Sequence, residues 1–289
     1  MSEPSTDQGF TWYAQFDQSY GQDKRYEWYS NSSTAYRWAR PRYPEAIIDR
    51  VIKQAHLQPR HSLMEVGCGP GIATEAFATK GLCIVAVEPS AAACELARKS
   101  CRDHKDVTVV NNTFEQYDLG QPAQQYDAVL AATSFHWITP EVACTKSATA
   151  LKPGGSLILL WATPPQPNAE ISDYLQPIYD RYELSELSIG QQRSRDYYQT
   201  NFEQFADTIN QSGFFAPSKV EIETHHSTYS IEKYLALLST LSPYIAIEET
   251  VRHNLLIALG EKLAEAQNTG ALETTHHFAS QVAPLKASA

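Results

Sequence analysis

Leu63-Met64-Glu65-Val66-Gly67-Cys68-Gly69-Pro70-Gly71 is the stretch that decides the fold. An apolar run over 62–66 reads as a buried strand, and it ends in three glycines at alternate positions. Glycines between a strand and a helix let the main chain pass close to a ligand. Working outward, residues 72–78 predict a helix, 83–87 a second apolar strand and 91–101 an Ala-rich helix. Strands follow at 107–110 and 128–132, a helix at 141–150 and a strand at 156–161. Upstream, Ile47, Ile48, Val51 and Ile52 recur at helical spacing. Strands alternating with helices of this length predict a doubly wound, parallel α/β sheet.

Past Trp161 the rhythm changes. Pro164, Pro165, Pro167 and Pro177 interrupt a polar, aromatic stretch that reads as helical over 171–187. A helix over 201–212 is stopped by Gly213, and 218–229 alternates enough for a strand. Helices over 231–241 and 248–266 precede a last strand within 272–285. Four segments result: a cap over 1–45, a core over 46–163, a helical insert with a core helix over 164–217, and the last two strands over 218–289 with a helical lid insert at 230–268. The first 43 residues hold eleven aromatics: Phe10, Trp12, Tyr13, Phe16, Tyr20, Tyr26, Trp28, Tyr29, Tyr36, Trp38 and Tyr43. A disordered leader is poor in aromatics, so these either cover the core or line a ligand pocket.

The chain has 289 residues, enough for one large domain or two small ones with a real core, and a formal net charge of −10. That charge argues against a nucleic-acid partner, which needs a basic face. No apolar run reaches the roughly 20 residues of a membrane helix, and the start lacks a secretory pattern; the expectation is a cytoplasmic protein. Five cysteines without a C-x-x-C pair read as reduced thiols. His225-His226 and His276-His277 fall on strands where adjacent residues face opposite sides, too few ligands per side for a metal, and none is expected.

Two cofactor classes use a glycine loop of this kind: dinucleotides and S-adenosylmethionine (SAM). Glu88 ends the second strand 21 residues past Gly67, placed to accept hydrogen bonds from ribose hydroxyls in either class. A dinucleotide loop spaces its glycines G-x-G-x-x-G and sets a pyrophosphate on the helix N-terminus. Here the spacing is G-x-G-x-G and Glu65 precedes it, an acid that repels a pyrophosphate and suits a cation. SAM carries a sulfonium and an ammonium, so the charge logic favours SAM.

Glu65-Val66-Gly67-Cys68-Gly69-Pro70-Gly71 resembles the first motif of the class I SAM-dependent methyltransferases. Val85-Ala86-Val87-Glu88-Pro89-Ser90 resembles their second motif, Tyr126-Asp127-Ala128-Val129 the start of their fourth strand, and Leu151-Lys152-Pro153-Gly154-Gly155-Ser156-Leu157 their turn into the fifth. Arg40-Pro41-Arg42-Tyr43-Pro44 and His136-Trp137 resemble features of a small-molecule branch that includes trans-aconitate-methyltransferase-like enzymes. The resemblance implies a Rossmann-like sheet of seven strands, mostly parallel with the last antiparallel, under a helical lid. It implies that Gly67, Cys68, Gly69 and Gly71 pass under the methionine and ribose part of SAM, with Glu65 at the same loop. Glu88 would take the ribose hydroxyls beside Pro89, and Thr113 and Phe114 would flank the adenine. The family often places an acid against the adenine amino group, where this chain has Thr113. Ser134 would lie near the methionine moiety. Tyr36 and Arg40 either clamp its carboxylate or serve only to pack and cap the N-terminal segment.

The implied activity is methyl transfer from SAM to a small organic molecule, at a carboxylate or hydroxyl oxygen in preference to nitrogen. Thr133-Ser134-Phe135-His136 stands where the nucleic-acid N-methylating branches carry Asp/Asn-Pro-Pro-aromatic, and no basic amphipathic stretch marks a membrane surface. The expected partner is therefore a small methyl acceptor, with neither nucleic acid nor membrane, in a monomer or homodimer. His136 is either the general base or a packing anchor for its loop. A nicotinamide-dependent oxidoreductase and a non-catalytic SAM-binding protein are the rival readings.

Overall fold

The computed structural model describes residues 33–183, 189–266 and 270–287. Phe10 to Tyr29 of the aromatic segment lie outside the described residues. In chain order the elements are α1 (Ser33–Ala39), α2 (Glu45–Gln54), β1 (Ser62–Val66), α3 (Ile72–Ala78), β2 (Cys83–Glu88), α4 (Ala91–Ser100), β3 (Val107–Asn111), β4 (Tyr126–Ala132), α5 (Pro140–Ala150), β5 (Leu151–Ala162), β6 (Gln166–Pro167), α6 (Ala169–Arg181), α7 (Arg195–Gln211), β7 (Glu221–Ser230), α8 (Ile231–Leu238), α9 (Ser242–Ile245), α10 (Glu249–Ala266) and β8 (Ala271–Pro284). A single 3₁₀ turn, Phe135–Trp137, joins β4 to α5.

The sheet runs β3-β2-β1-β4-β5-β8-β6, with β7 also on β8. β1 through β5 pair in parallel, and β8 is antiparallel to β5, β6 and β7. The described residues thus form eight strands where the sequence reading expects seven. The extra one is the two-residue β6, bracketed by prolines and paired with Thr274 and Thr275 on the protruding half of β8. β5 starts at Leu151 instead of 156 because the chain pairs with β4 through the Pro-Gly-Gly turn. α7 starts at Arg195 instead of 201 because the Ser194 hydroxyl accepts the Tyr197 N–H and caps a polar first turn.

Three apolar cores follow from this layering. One face of the sheet packs under α5 and α7, around Val129, Leu157, Phe202 and Ile209. The other packs under α2, α3 and α4, around Ile48, Phe77, Ala97 and Phe278. The third lies beyond the carboxyl ends of the strands, where Ala39 of α1, Leu175 of α6, Leu237 of α8, Tyr244 of α9 and Leu259 of α10 are buried together. That roof is tied down by hydrogen bonds. Tyr229 donates to the Ala39 carbonyl (2.8 Å), and the Tyr179 and Tyr244 hydroxyls meet at 2.9 Å.

His276 of β8 has its ring beside His225 (6.2 Å) and Phe278 (5.0 Å), and its buried Nδ1 has no hydrogen-bond partner among the described residues. Burial, then the neighbouring His225, His277 and His226, hold its pKa down to about 4. His225 faces it from β7 beside Glu223, which pairs with Arg50 of α2. A base whose folded pKa is lowered contributes stability above its unfolded pKa and loses it as pH falls. We therefore expect the unfolding free energy of the wild type, read from urea titrations, to fall between pH 6.5 and 4 by about 1–3 kcal/mol more than that of His276→Phe. Parallel pH profiles for the two proteins would contradict this assignment.

Candidate active site

The carboxyl ends of β1, β2, β4 and β5 open under the roof into one cavity of about 680 Å³. That is where open α/β sheets bind ligands. Its floor is built by two backbone devices. Gly67 turns out of β1 with φ +67°, and a Cβ there would stand 2.7 Å from the Ser134 Cβ, so only glycine lets the ends of β1 and β4 approach this closely. Ser134 is held in place because its hydroxyl donates to the Val66 carbonyl across the same gap. Next to it Thr133 adopts φ +55°, a costly conformation for a β-branched residue. Its Oγ1 accepts the Ala162 N–H (3.2 Å) and bonds the Tyr43 hydroxyl (2.9 Å), fixing the ends of β4 and β5.

The acids stand around the glycine loop. Glu88 accepts the Gly69 N–H (2.9 Å) with one oxygen and the Ser90 N–H (2.8 Å) with the other. Burial raises its pKa against both bonds. Glu65 is buried deeper, accepts the Thr74 hydroxyl (2.6 Å), and burial pushes its pKa up to about 8, with Glu88 adding to the rise. Cys68 lies between them as a buried thiol with its pKa raised, foremost by burial.

Of the residues selected from sequence, Tyr36, Arg40, Glu65, Gly67, Cys68, Gly69, Glu88, Pro89, Thr113, Phe114, Ser134 and His136 all line this cavity. Gly71 does not. It sits at φ +85° at the start of α3, where a Cβ would come within 3.1 Å of the Ala97 Cα, so it serves the packing of α3 on α4. Arg40 lies 4.6 Å over the Tyr36 ring and spends two guanidinium nitrogens on Thr240, at 2.9 and 2.8 Å, just past α8. His136, in the 3₁₀ turn, is half-buried with its ring 5.1 Å from Trp137 and 5.4 Å from Trp161. The opposite wall holds residues that pattern reading does not single out, among them Gln166, Tyr179, Arg193, Tyr197 and Tyr198. The Tyr197-Tyr198 pair just after Arg193 is the signal that could have drawn notice to them.

Residues 64–159 match a family described as a methyltransferase domain. Over these residues the chain carries a methyltransferase domain. An uncharacterized methyltransferase of Mycobacterium tuberculosis is 32% identical over 129 residues, 45% of this chain and 49% of its own length. The chain spans about half the length of the first curated relatives it matches. An uncharacterized methyltransferase of Schizosaccharomyces pombe is 24% identical over 257 residues, 86% of this chain and 95% of its own. Among solved structures, a candidate type II methyltransferase from Anaeromyxobacter dehalogenans superposes with TM-score 0.60 at 20% identity, over 85% of this chain and 97% of the other. Phosphoethanolamine N-methyltransferase 2 of Haemonchus contortus, solved with S-adenosylhomocysteine, gives TM-score 0.50 at 16% identity, over 92% and 59%.

The methyltransferase domain fits a cationic sulfonium ligand on its own terms. Two buried carboxyl groups flank a main chain that is bare toward the cavity, since a Cβ on Gly69 would meet nothing within 4 Å. Neither acid has a basic hydrogen-bond partner among the described residues. In their ionised forms those acids repel a pyrophosphate. No group of three or more His, Cys, Asp or Glu able to hold a metal is present among the described residues, and no described helix is long and apolar enough to cross a membrane.

Two outcomes are expected. Gly67→Ala combines a left-handed backbone with a 2.7 Å clash and should cost about 2–3 kcal/mol in chemical unfolding; an unchanged midpoint would contradict the close approach. A cation brought beside Glu65 favours its ionised form, so SAM should bind more tightly, with proton release, as pH rises to about 8, and the gain should level off above that. Calorimetry in buffers of different ionisation enthalpy reads that proton, and pH-independent binding would place the cation away from Glu65.

Proposed function

We propose that this protein transfers the methyl group of SAM to a small organic acceptor, at oxygen in preference to nitrogen. One observation carries the reading: a single cavity joins an acid-flanked glycine loop to an aromatic wall under a helical roof. Bound there, SAM supplies an activated methyl group on a cationic sulfur. The main chain from Gly67 to Gly69 gives close approach, and Glu88 keeps lone pairs for the ribose hydroxyls after holding two backbone N–H groups. Thr113 and Phe114 would flank the adenine beside Pro89, and Tyr36 with the Arg40 nitrogen not bound to Thr240 would face the methionine carboxylate.

For this chemistry the protein must align the acceptor and exclude water. The roof does both in this reading, with the described parts of the cap (33–45) and of the inserts (164–183, 189–217 and 230–266) acting as one lid on the core. His136 takes the proton of an acceptor hydroxyl, its ring plane set by Trp137 and Trp161. An acceptor carboxylate needs no base.

Incubation with methyl-labelled SAM and a panel of small acids, phenols and amines tests the reading, and the absence of label on every compound would contradict it. His136→Ala should lower kcat for a hydroxyl acceptor about 100-fold or more while leaving the KM for SAM within about threefold. An unchanged kcat would make His136 a packing residue. Glu88→Gln should weaken SAM binding by about 1–3 kcal/mol, and no loss would contradict the ribose assignment.

A further inference from the structure

Charge is unevenly distributed over the cavity wall. Its acids are Glu65 on β1, Glu88 at the end of β2 and Glu115 in the loop past β3. Arg40 and Arg193 are its basic residues among the described ones, and Arg40 is bound to Thr240. Arg193, on the loop between α6 and α7, is bonded to Gln166 of β6, which lies past β5 and β8 in the sheet, on the far side from β1 and β2.

That loop is fastened before any ligand arrives. The Arg193 N–H donates to Gln166 Oε1 (2.7 Å), Gln166 Nε2 donates back to the Arg193 carbonyl (3.2 Å), and Gln192 Nε2 donates to the Pro167 carbonyl (2.5 Å). The guanidinium rests on the Tyr197 ring, 4.7 Å from its centroid, with no carboxylate partner among the described residues. A guanidinium stacked on an aromatic face keeps its planar edge for a carboxylate and loses little freedom on binding one.

A ladder of rings separates this cation from His136. Tyr197 meets Tyr198 at 5.5 Å, Tyr198 meets Phe202 at 6.3 Å, Phe202 meets Trp161 at 5.5 Å, and Trp161 meets His136 at 5.4 Å. We propose that the methyl acceptor is a planar carboxylic acid whose carboxylate is anchored by Arg193, away from the atom that is methylated at the His136 end. The inference rests on the methyltransferase reading of the same cavity. The cation that binds the glycine-loop end and the anion that binds Arg193 then occupy opposite ends, each against charge of the opposite sign. Arg193 sets specificity and takes no part in the bond changes.

The test measures binding, not turnover. The full-length protein is titrated calorimetrically, with and without S-adenosylhomocysteine, against matched acid and amide pairs: benzoate and benzamide, 4-hydroxybenzoate and 4-hydroxybenzamide, cinnamate and cinnamamide, indole-3-acetate and indole-3-acetamide. At least one acid should bind tenfold or more tightly than its amide, and Arg193→Gln should abolish that preference. Arg193→Lys should keep part of it, because the charge survives and the planar fork does not. S-adenosylhomocysteine affinity should agree within twofold between the wild type and Arg193→Gln, which also reports that the variant folds. If no acid outbinds its amide on the wild type, or if the preference survives Arg193→Gln, the proposal is overturned. Failure of S-adenosylhomocysteine to bind the wild type counts against the methyltransferase reading alone, since the acid and amide pairs are also compared without it.

Discussion

The two hydrogen bonds accepted by the Glu88 carboxylate organise the ligand-binding end of this protein. One fixes the middle of the glycine loop and the other fixes the start of α4, so the ends of β1 and β2 are registered by a single side chain. Burying a carboxylate is costly, and its raised pKa shows that two backbone donors offset only part of that cost. Glu65 carries a similar penalty one strand away, with a single hydroxyl donor. The loop is therefore preorganised and electrostatically unsatisfied together, the condition in which a cationic ligand gains most from binding.

The roof depends on a different balance. It has its own apolar core, and it reaches the sheet domain through α1, which Arg37 and Arg42 hold to Glu75 of α3 while Arg40 reaches Thr240. The two ion pairs are partly exposed and each contributes little. Most of the attachment must come from buried contacts such as Ala39 and Tyr229.

How far the sequence reveals this arrangement depends on which physical rule governs each part. β1, β2 and β4 are buried on both faces, so they appear as nearly continuous apolar runs punctuated by glycine. α3 and α4 follow because one opens directly after the glycines and the other is Ala-rich, a composition that favours helix. The starts of β5 and α7 are obscured because a Pro-Gly-Gly turn and a polar first turn resemble loop. β6 is invisible, since two residues carry no period. The cavity divides in the same way. Its glycine-loop side follows from one local motif, whereas Gln166, Tyr179 and Arg193 meet only through the folding of the roof onto the sheet. Gly71 shows the opposite hazard: it belongs to the motif by spacing, yet its missing Cβ serves helix packing.

The central claim is that the loop between β1 and α3 receives a sulfonium cofactor and not a dinucleotide. Side-by-side calorimetric titration of the full chain with SAM and with NAD tests it most directly. SAM should bind saturably and be displaced by S-adenosylhomocysteine, with no detectable heat from NAD. Binding of NAD without binding of SAM would contradict it.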